Sequence, residues 1–354
     1  MAEFINTIDV IGDDALTDSI IDKSISEYND DIITTIGHAA FQSCTSLISV
    51  NFPAVTSMGN FAFRNCSKLT RVAFPMAKST GGQAFKNCSQ LTSVDFPVLT
   101  SIGSSAFESC EQLTSITFPM AISTGAYALR NNSRLTSVDF PVATSIGNNA
   151  FQNCTSLSSV DIPMATSIGY SAFISCSQLT SVDFPVLTSI GSSAFASCSQ
   201  LTSVDLPLVT SIGSGAFESC SSLTSISLPA ATSIGDTAFQ VCSSLTSVDL
   251  PVVTSIGSGV FNCCYVLKSV IIRSNAVCKL SNTSAFNKCY HILGTTNSIY
   301  NPNGDKDGYI YVPRDLVESY KAATNWSTYA AQFRALEDYT VDGTTTGELD
   351  LTKI

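Results

Sequence analysis

The sequence predicts an α/β repeat solenoid, on three observations. A phenylalanine after a small residue recurs every 22 residues, at Phe41, Phe63, Phe85, Phe107, Phe151, Phe173, Phe195, Phe217, Phe239 and Phe261, and Leu129 fills the one gap. The 20-residue stretch CSQLTSVDFPVLTSIGSSAF occupies 88–107 and returns unchanged at 176–195. Hydrophobic residues make up 44% of the 354 and charged residues only 13%, so apolar material for a core is ample. One such unit cannot bury its own apolar face, but stacked units share a continuous core, and the period gives about eleven rungs.

The elements follow in chain order. Residues 1–36 carry nine acids and one base and read as an N-terminal arm and cap, with a strand at 4–11 and a short helix around 14–25. Residues 37–273 are the array. In the rung that starts at Cys88, residues 91–96 read as a short parallel strand with Leu91, Val94 and Phe96 inward. Pro97 ends the strand at little cost in pairing. Residues 98–102 form a second extended stretch, Gly103 turns the chain, and 104–110 read as a helical or 3-10 turn with Ala106, Phe107 and Cys110 inward. Residues 274–340 form an α+β C-terminal cap: a degenerate rung with Phe286, a strand at 309–312, and helical segments near 314–323 and 326–336. Leu316, Tyr320, Trp326, Tyr329 and Phe333 are the side chains expected to cover the open end of the stack. Residues 341–354 are a polar tail.

The unit CxxLTSVDFPxxTSIGxxAF resembles the leucine-rich repeats of the BspA-like class, found in bacterial surface proteins and in some phage and protist proteins. The likeness covers about two thirds of the chain. It departs from the commoner leucine-rich pattern, because the position after the strand is apolar (Leu99, Leu187, Val209) and the cysteine precedes the strand leucine by three residues. An ordinary asparagine ladder is therefore not expected. The resemblance implies a non-enzymatic recognition or adhesion protein. Its rigid face would bind a cell-surface protein or glycan, as in a bacterial surface adhesin or a phage receptor-binding protein. The alternative is a structural component of a phage tail or other surface assembly, contacting tail proteins and docking through residues 1–36.

Nine of the thirteen cysteines stand in one column, Cys44, Cys66, Cys88, Cys110, Cys154, Cys176, Cys198, Cys220 and Cys242; Cys264 extends it and Asn132 interrupts it. Side chains of one column point the same way, so the column reads as buried free thiols rather than disulfides. Cys263, Cys278 and Cys289 lie outside it, and pairing of the last two stays open. Free thiols fit a reducing compartment. The first thirty residues contain Glu3, Asp9, Asp13, Asp14, Asp18 and Asp22, with Lys23 the first base, which is unlike a secretory signal. Synthesis in the cytoplasm, with action in a virion or at a cell surface, is the expected course.

Two charged patterns are candidates for binding. The outward strand position after Val94 holds Asp95, Asp139, Asp161, Asp183, Asp205 and Asp249. Consecutive carboxylates ~4.8 Å apart repel by roughly 1–3.5 kcal/mol and Asp is a poor strand former. The column is either a stripe for cations, amines or a basic partner, or a solvated face copied by duplication. Arg64, Lys68, Arg71, Lys86, Arg130 and Arg134 concentrate base in the first half, a site for an anionic glycan or ordinary solubilising charge; from Arg134 to Lys268 no other Lys or Arg occurs. Asn303, Asp305 and Asp307 imitate part of a calcium loop, but Arg314 stands where the bidentate Glu belongs, and a Gly/Asn/Asp-rich turn accounts for the same residues. Catalysis is not indicated: a nucleophilic serine needs a base, and His38 and His291 lie at opposite ends of the array. No cofactor motif appears. The net charge of -11 speaks against nucleic acid, and no apolar run is long enough for membrane insertion.

Overall fold

The computed structural model describes residues 10–11, 26–346 and 350. Of the expected strand at 4–11, Val10–Ile11 is a strand and 4–9 lie outside the described residues, as does the helix around 14–25. The chain divides into two compact units, Met1–Gln178 and Leu179–Ile354, both built from parallel solenoid turns.

In the rung that starts at Cys88, the strand Ser93–Asp95 is flanked by Leu91 and Phe96, both buried, because alternate strand side chains take opposite faces. A β-turn follows, with Pro97 and Val98 at its centre and the Leu99 N–H donating to the Phe96 carbonyl at 3.3 Å. Proline fits the second position of such a turn, where its fixed φ is already correct. Ser101–Ile102 then pairs in parallel with Ser123–Thr124. Gly103 is required by close approach rather than by a left-handed φ: a Cβ there would lie 2.4 Å from the Gly81 carbonyl oxygen of the preceding rung.

The segment 104–110 closes through 3-10-type bonds, Ala106 N–H to Gly103 C=O and Glu108 N–H to Ser105 C=O, both at 3.2 Å. It does not continue as a helix, because Ser105 and Ser109 are left-handed, at φ 53° and 58°. Meanwhile the N–H groups of Ser105, Phe107 and Ser109 donate to carbonyls of the next rung at 2.8 to 2.9 Å. Every side of the rung is thus bonded to a neighbour.

In the first unit the outward strands are Glu27–Asn29, Ser49–Asn51, Arg71–Ala73 and Ser93–Asp95 in one sheet, and Ser115–Thr117, Ser137–Asp139 and Ser159–Asp161 in another. In the second unit Ser181–Asp183, Ser203–Asp205, Ser225–Ser227, Ser247–Leu250, Ser269–Ile272, Tyr309–Val312 and Phe333–Ala335 form one parallel sheet. The core is a file of stacked rings: Phe63, Phe85 and Phe107 follow at centroid spacings of 5.2 Å with planes within 5°. Phe217 and Phe239 continue the pattern in the second unit at 5.6 Å.

The C-terminal cap differs from expectation in its second half. Arg314–Leu316 and Val317–Ala322 are helical, but the expected second helix is split into two 3-10 segments, Trp326–Gln332 and Leu336–Asp338. Between them Phe333–Ala335 is a strand paired with Tyr309–Val312, which gives the last rung a hydrogen-bonded partner. Tyr320, Trp326, Tyr329 and Phe333 are buried and Leu316 is half-buried.

Candidate functional site

On the outward strand face, Ser and Asp point to solvent on either side of an inward Val or Ile. Asp95, Asp161, Asp183 and Asp205 are exposed; Asp139 and Asp249 are half-buried. Asp139 stands in register with Asp161 in the first unit, and Asp183 with Asp205 in the second. Beside this face the threonine hydroxyls donate to the preceding rung: Thr92 Oγ1 to Thr70 C=O at 2.9 Å, Thr136 to Thr114 at 2.8 Å, Thr224 to Thr202 at 3.1 Å. Those bonds fix the strand margins without consuming the Asp carboxylates.

Asp249 is treated differently. Arg273 forks onto it, Nε to Oδ1 and Oδ2 both at 3.1 Å, and its Nη1 donates to the Thr345 carbonyl at 2.7 Å. Burial raises the Asp249 carboxyl above its ordinary range, and the guanidinium works against that rise. Beyond Asp249 the outward column holds Ile271, Tyr311 and Arg334. Ile271 and Tyr311 are buried although they point outward, because Leu336 packs on them together with Tyr309 and Tyr339. The chain's own C-terminal segment therefore covers the end of this face.

A second outward column was not singled out from the sequence. The residue after each proline sits at the tip of the β-turn, and in the first unit it is the half-buried Ala54 and then Met76, Val98, Met120, Val142 and Met164, all five exposed. Met120 and Met164 are each 50% exposed, high for thioether side chains in a chain with so large a core. Aligning the units on Pro97 would have shown an apolar residue at this position in every rung.

The six basic residues fall in separate columns. Arg64, Lys86 and Arg130 follow the core Phe or Leu, Lys68 and Arg134 lie two residues past the Cys column, and Arg71 is on the strand face. The buried Glu108 sits between two of them, 2.9 Å from Lys86 and 4.0 Å from Arg130. Arg64 and Arg130 also lie over the rings of Phe61 and Tyr127, both at 5.4 Å. Arg134 bonds Gln112.

In the 303–307 loop, Asp305 N–H donates to Asn301 Oδ1 at 2.8 Å, and Asn303 Nδ2 reaches Asp305 at 3.5 Å. Lys268 Nζ holds one Asp307 oxygen at 2.6 Å and His291 Nδ1 the other. That is an ion-paired carboxylate rather than one converging with Asn303 and Asp305. Among the described residues no three His, Cys, Asp or Glu side chains are grouped as a metal site.

None of the thirteen cysteines is in a disulfide, Cys278 and Cys289 included, and all are buried. Column thiols donate to the Phe carbonyl of the preceding rung: Cys66 to Phe41 at 3.0 Å, Cys88 to Phe63 and Cys110 to Phe85 at 3.1 Å. Burial pushes the Cys154 and Cys220 thiols up to about 12. Asn132 performs the same bond with its amide, at 2.9 Å to the Phe107 carbonyl.

Residues 9–124, 78–186, 122–232 and 166–293 match the family model described as BspA type leucine rich repeat region (6 copies). Among solved structures, a leucine-rich repeat protein from Bacteroides ovatus is similar in fold, with a TM-score of 0.58 and 24% identity over 87% of this chain and 91% of that one. A leucine rich cell surface protein from Faecalibacterium prausnitzii gives a TM-score of 0.46 and 24% identity, over 88% of this chain and 87% of that one. No curated protein matches the sequence. Among the described residues no helix is long and apolar enough to cross a membrane.

Proposed function

The chain belongs to the BspA-type leucine-rich repeat family, and from that membership we propose that it is a non-enzymatic recognition protein whose outward strand face binds a protein at a cell surface. Proteins of this class are in general binding scaffolds for other proteins. The observation that carries the reading is the strand face itself. Successive rungs present Ser and Asp in register over inward Val, with strand margins such as those at Thr136 and Thr224 fixed by hydroxyl bonds to the neighbouring rung. Such a face is preorganised, so binding loses little conformational entropy.

The test is binding of the labelled full-length protein to intact bacterial cells from a mixed gut community, read by flow cytometry. Saturable binding to a subset of cells is expected. It should survive removal of residues 1–36 and weaken about tenfold on Asp161→Asn with Asp183→Asn, the cost of one charge-assisted contact. Absence of binding to any cell would overturn the reading, and so would unchanged affinity of the double variant. Loss of all binding with residues 1–36 would instead favour docking through the acidic N-terminal segment.

A further inference from the structure

The first unit carries an apolar column at its turn tips. Val98, Met120, Val142 and Met164 follow one another in consecutive rungs, each at the centre of a β-turn and each exposed. Rungs stack at ~4.8 Å, so the four form a ridge on the order of 15 Å long. Exposed apolar side chains scattered singly need no explanation, but a contiguous row does. Three residues before the tip, in the same rungs, stand Asp95, Asp139 and Asp161, with Thr117 in the fourth. The ridge is thus bordered on its strand side by carboxylates. In the preceding rung the charge reverses, because Arg71 and Lys78 flank Met76 and both are exposed. The acidic border therefore begins at Val98.

In the second unit the chain covers the end of its own strand face, while the turn tips Leu208 and Val252 stay exposed. There the outward column passes from Asp249 to Ile271 and Tyr311, and the crossing segment seats Leu336 and Tyr339 on the apolar pair. A guanidinium closes the acidic end, Arg273 holding both Asp249 and the Thr345 carbonyl of that segment. Both contacts, apolar side chains on Ile271 and Tyr311 and a cation on Asp249, fall on the strand column and not on the turn tips.

We infer that the ridge Val98–Met120–Val142–Met164, with Asp95, Asp139 and Asp161 along its border, docks a cationic amphipathic segment of a partner protein. Apolar residues of the segment cover the turn tips, and its Lys or Arg side chains reach the Asp column. Charge complementarity selects the partner's sign, and the apolar row separates it from a merely basic chain. The inference deepens the proposed recognition role and rests on it for its biological setting.

Full-length protein is titrated with fluorescent 18-residue peptides at 0.15 M salt and read by anisotropy. The probes are an amphipathic Leu/Lys peptide, an amphipathic Leu/Glu peptide and oligolysine. The Leu/Lys peptide is expected to bind at least tenfold tighter than oligolysine, and the Leu/Glu peptide not to bind. Met120→Ser with Met164→Ser, both at exposed turn tips and tolerable for the fold, should weaken Leu/Lys binding at least tenfold at an unchanged melting temperature. Asp139→Asn with Asp161→Asn should weaken it at least threefold and flatten its salt dependence. Equal binding of Leu/Lys and oligolysine, binding of Leu/Glu, or wild-type affinity in both double variants would overturn the inference. Peptide binding by a protein that stains no cell would leave the docking chemistry standing and overturn only the cell-surface role.

Discussion

A carbonyl oxygen has two lone pairs, and the carbonyls of Phe41, Phe63 and Phe85 use both. Phe85 C=O accepts Cys88 N–H at 3.1 Å within its own rung and the Cys110 thiol at 3.1 Å from the next. That explains why the column prefers cysteine: it is small enough for the core yet retains one weak donor. The sequence made the thiols legible as buried and unpaired, since they share one column with no partner column. Their acceptor was not legible, because it depends on the register of the neighbouring rung. Asn132 tests the account. Its amide donates to Phe107 and Leu129, at 2.9 and 2.7 Å, but its Oδ1 is buried without a partner. An unsatisfied buried acceptor costs about 1–3 kcal/mol. Asn132→Cys is therefore expected to raise stability by about 1 kcal/mol, measured as an increase in the denaturant midpoint. A decrease would show that the lost second amide bond outweighs the relieved oxygen.

Within a rung, the strand and the proline turn were readable from alternation and turn chemistry alone. The segment after the glycine was readable only as a tight turn. Its left-handed residues are not marked by glycine: Ser105, Asn149, Thr237 and Val241 all occupy such positions, and only Gly215 and Gly259 announce them. The glycine column itself was legible as invariant in type, but its cause, the packing of one rung's backbone on the next, needed the structure. Gly103→Ala would drive a Cβ to 2.4 Å from the Gly81 oxygen and 2.7 Å from the Thr80 oxygen, both backbone atoms of the preceding rung. A loss on the order of 3 kcal/mol is expected from such overpacking, seen as a lower melting temperature; an unchanged melt would mean that the rungs can separate locally.

The cap loop makes a prediction of its own. Partial burial of Asp307 disfavours its charge, but the bonds from Lys268 and His291 outweigh this and hold its carboxyl below the usual range. Stability from this triad is therefore present above the unfolded carboxylate value of about 3.9 and lost as pH falls through the lower folded value. Asp307→Asn should melt below the wild type at about pH 6, and the gap should close by about pH 2. Asp307 is substantially exposed, so the gap should be small. A gap that persists at the acid end would mean that the loop is held by something other than this charge.

At the scale of the whole molecule, the 22-residue period fixed the fold class, and the composition fixed how it could be stable. Charge is sparse and each unit has its own file of stacked rings, so stability comes from ring stacking and inter-rung bonds rather than from ion pairs. The two ends were less readable. The outward column changes from Asp to Ile271 and Tyr311, which on strand alternation alone face solvent; only the folded C-terminal segment shows why apolar residues are tolerated there. The turn-tip ridge went unread because a lone Met or Val between a proline and a buried residue looks like core at the level of one rung. It becomes a surface only when the rungs are stacked.

The identical stretches at 88–107 and 176–195 lie a whole number of periods apart. A recombination between them would join like to like, removing or adding four complete turns with the reading frame, the phenylalanine file and every inter-turn bond in phase. Reach would then be an inherited quantity that can change in a single generation while the chemistry of each turn stays as it was. A lineage carrying such a gene could vary the length of its contact surface as readily as other lineages vary a side chain.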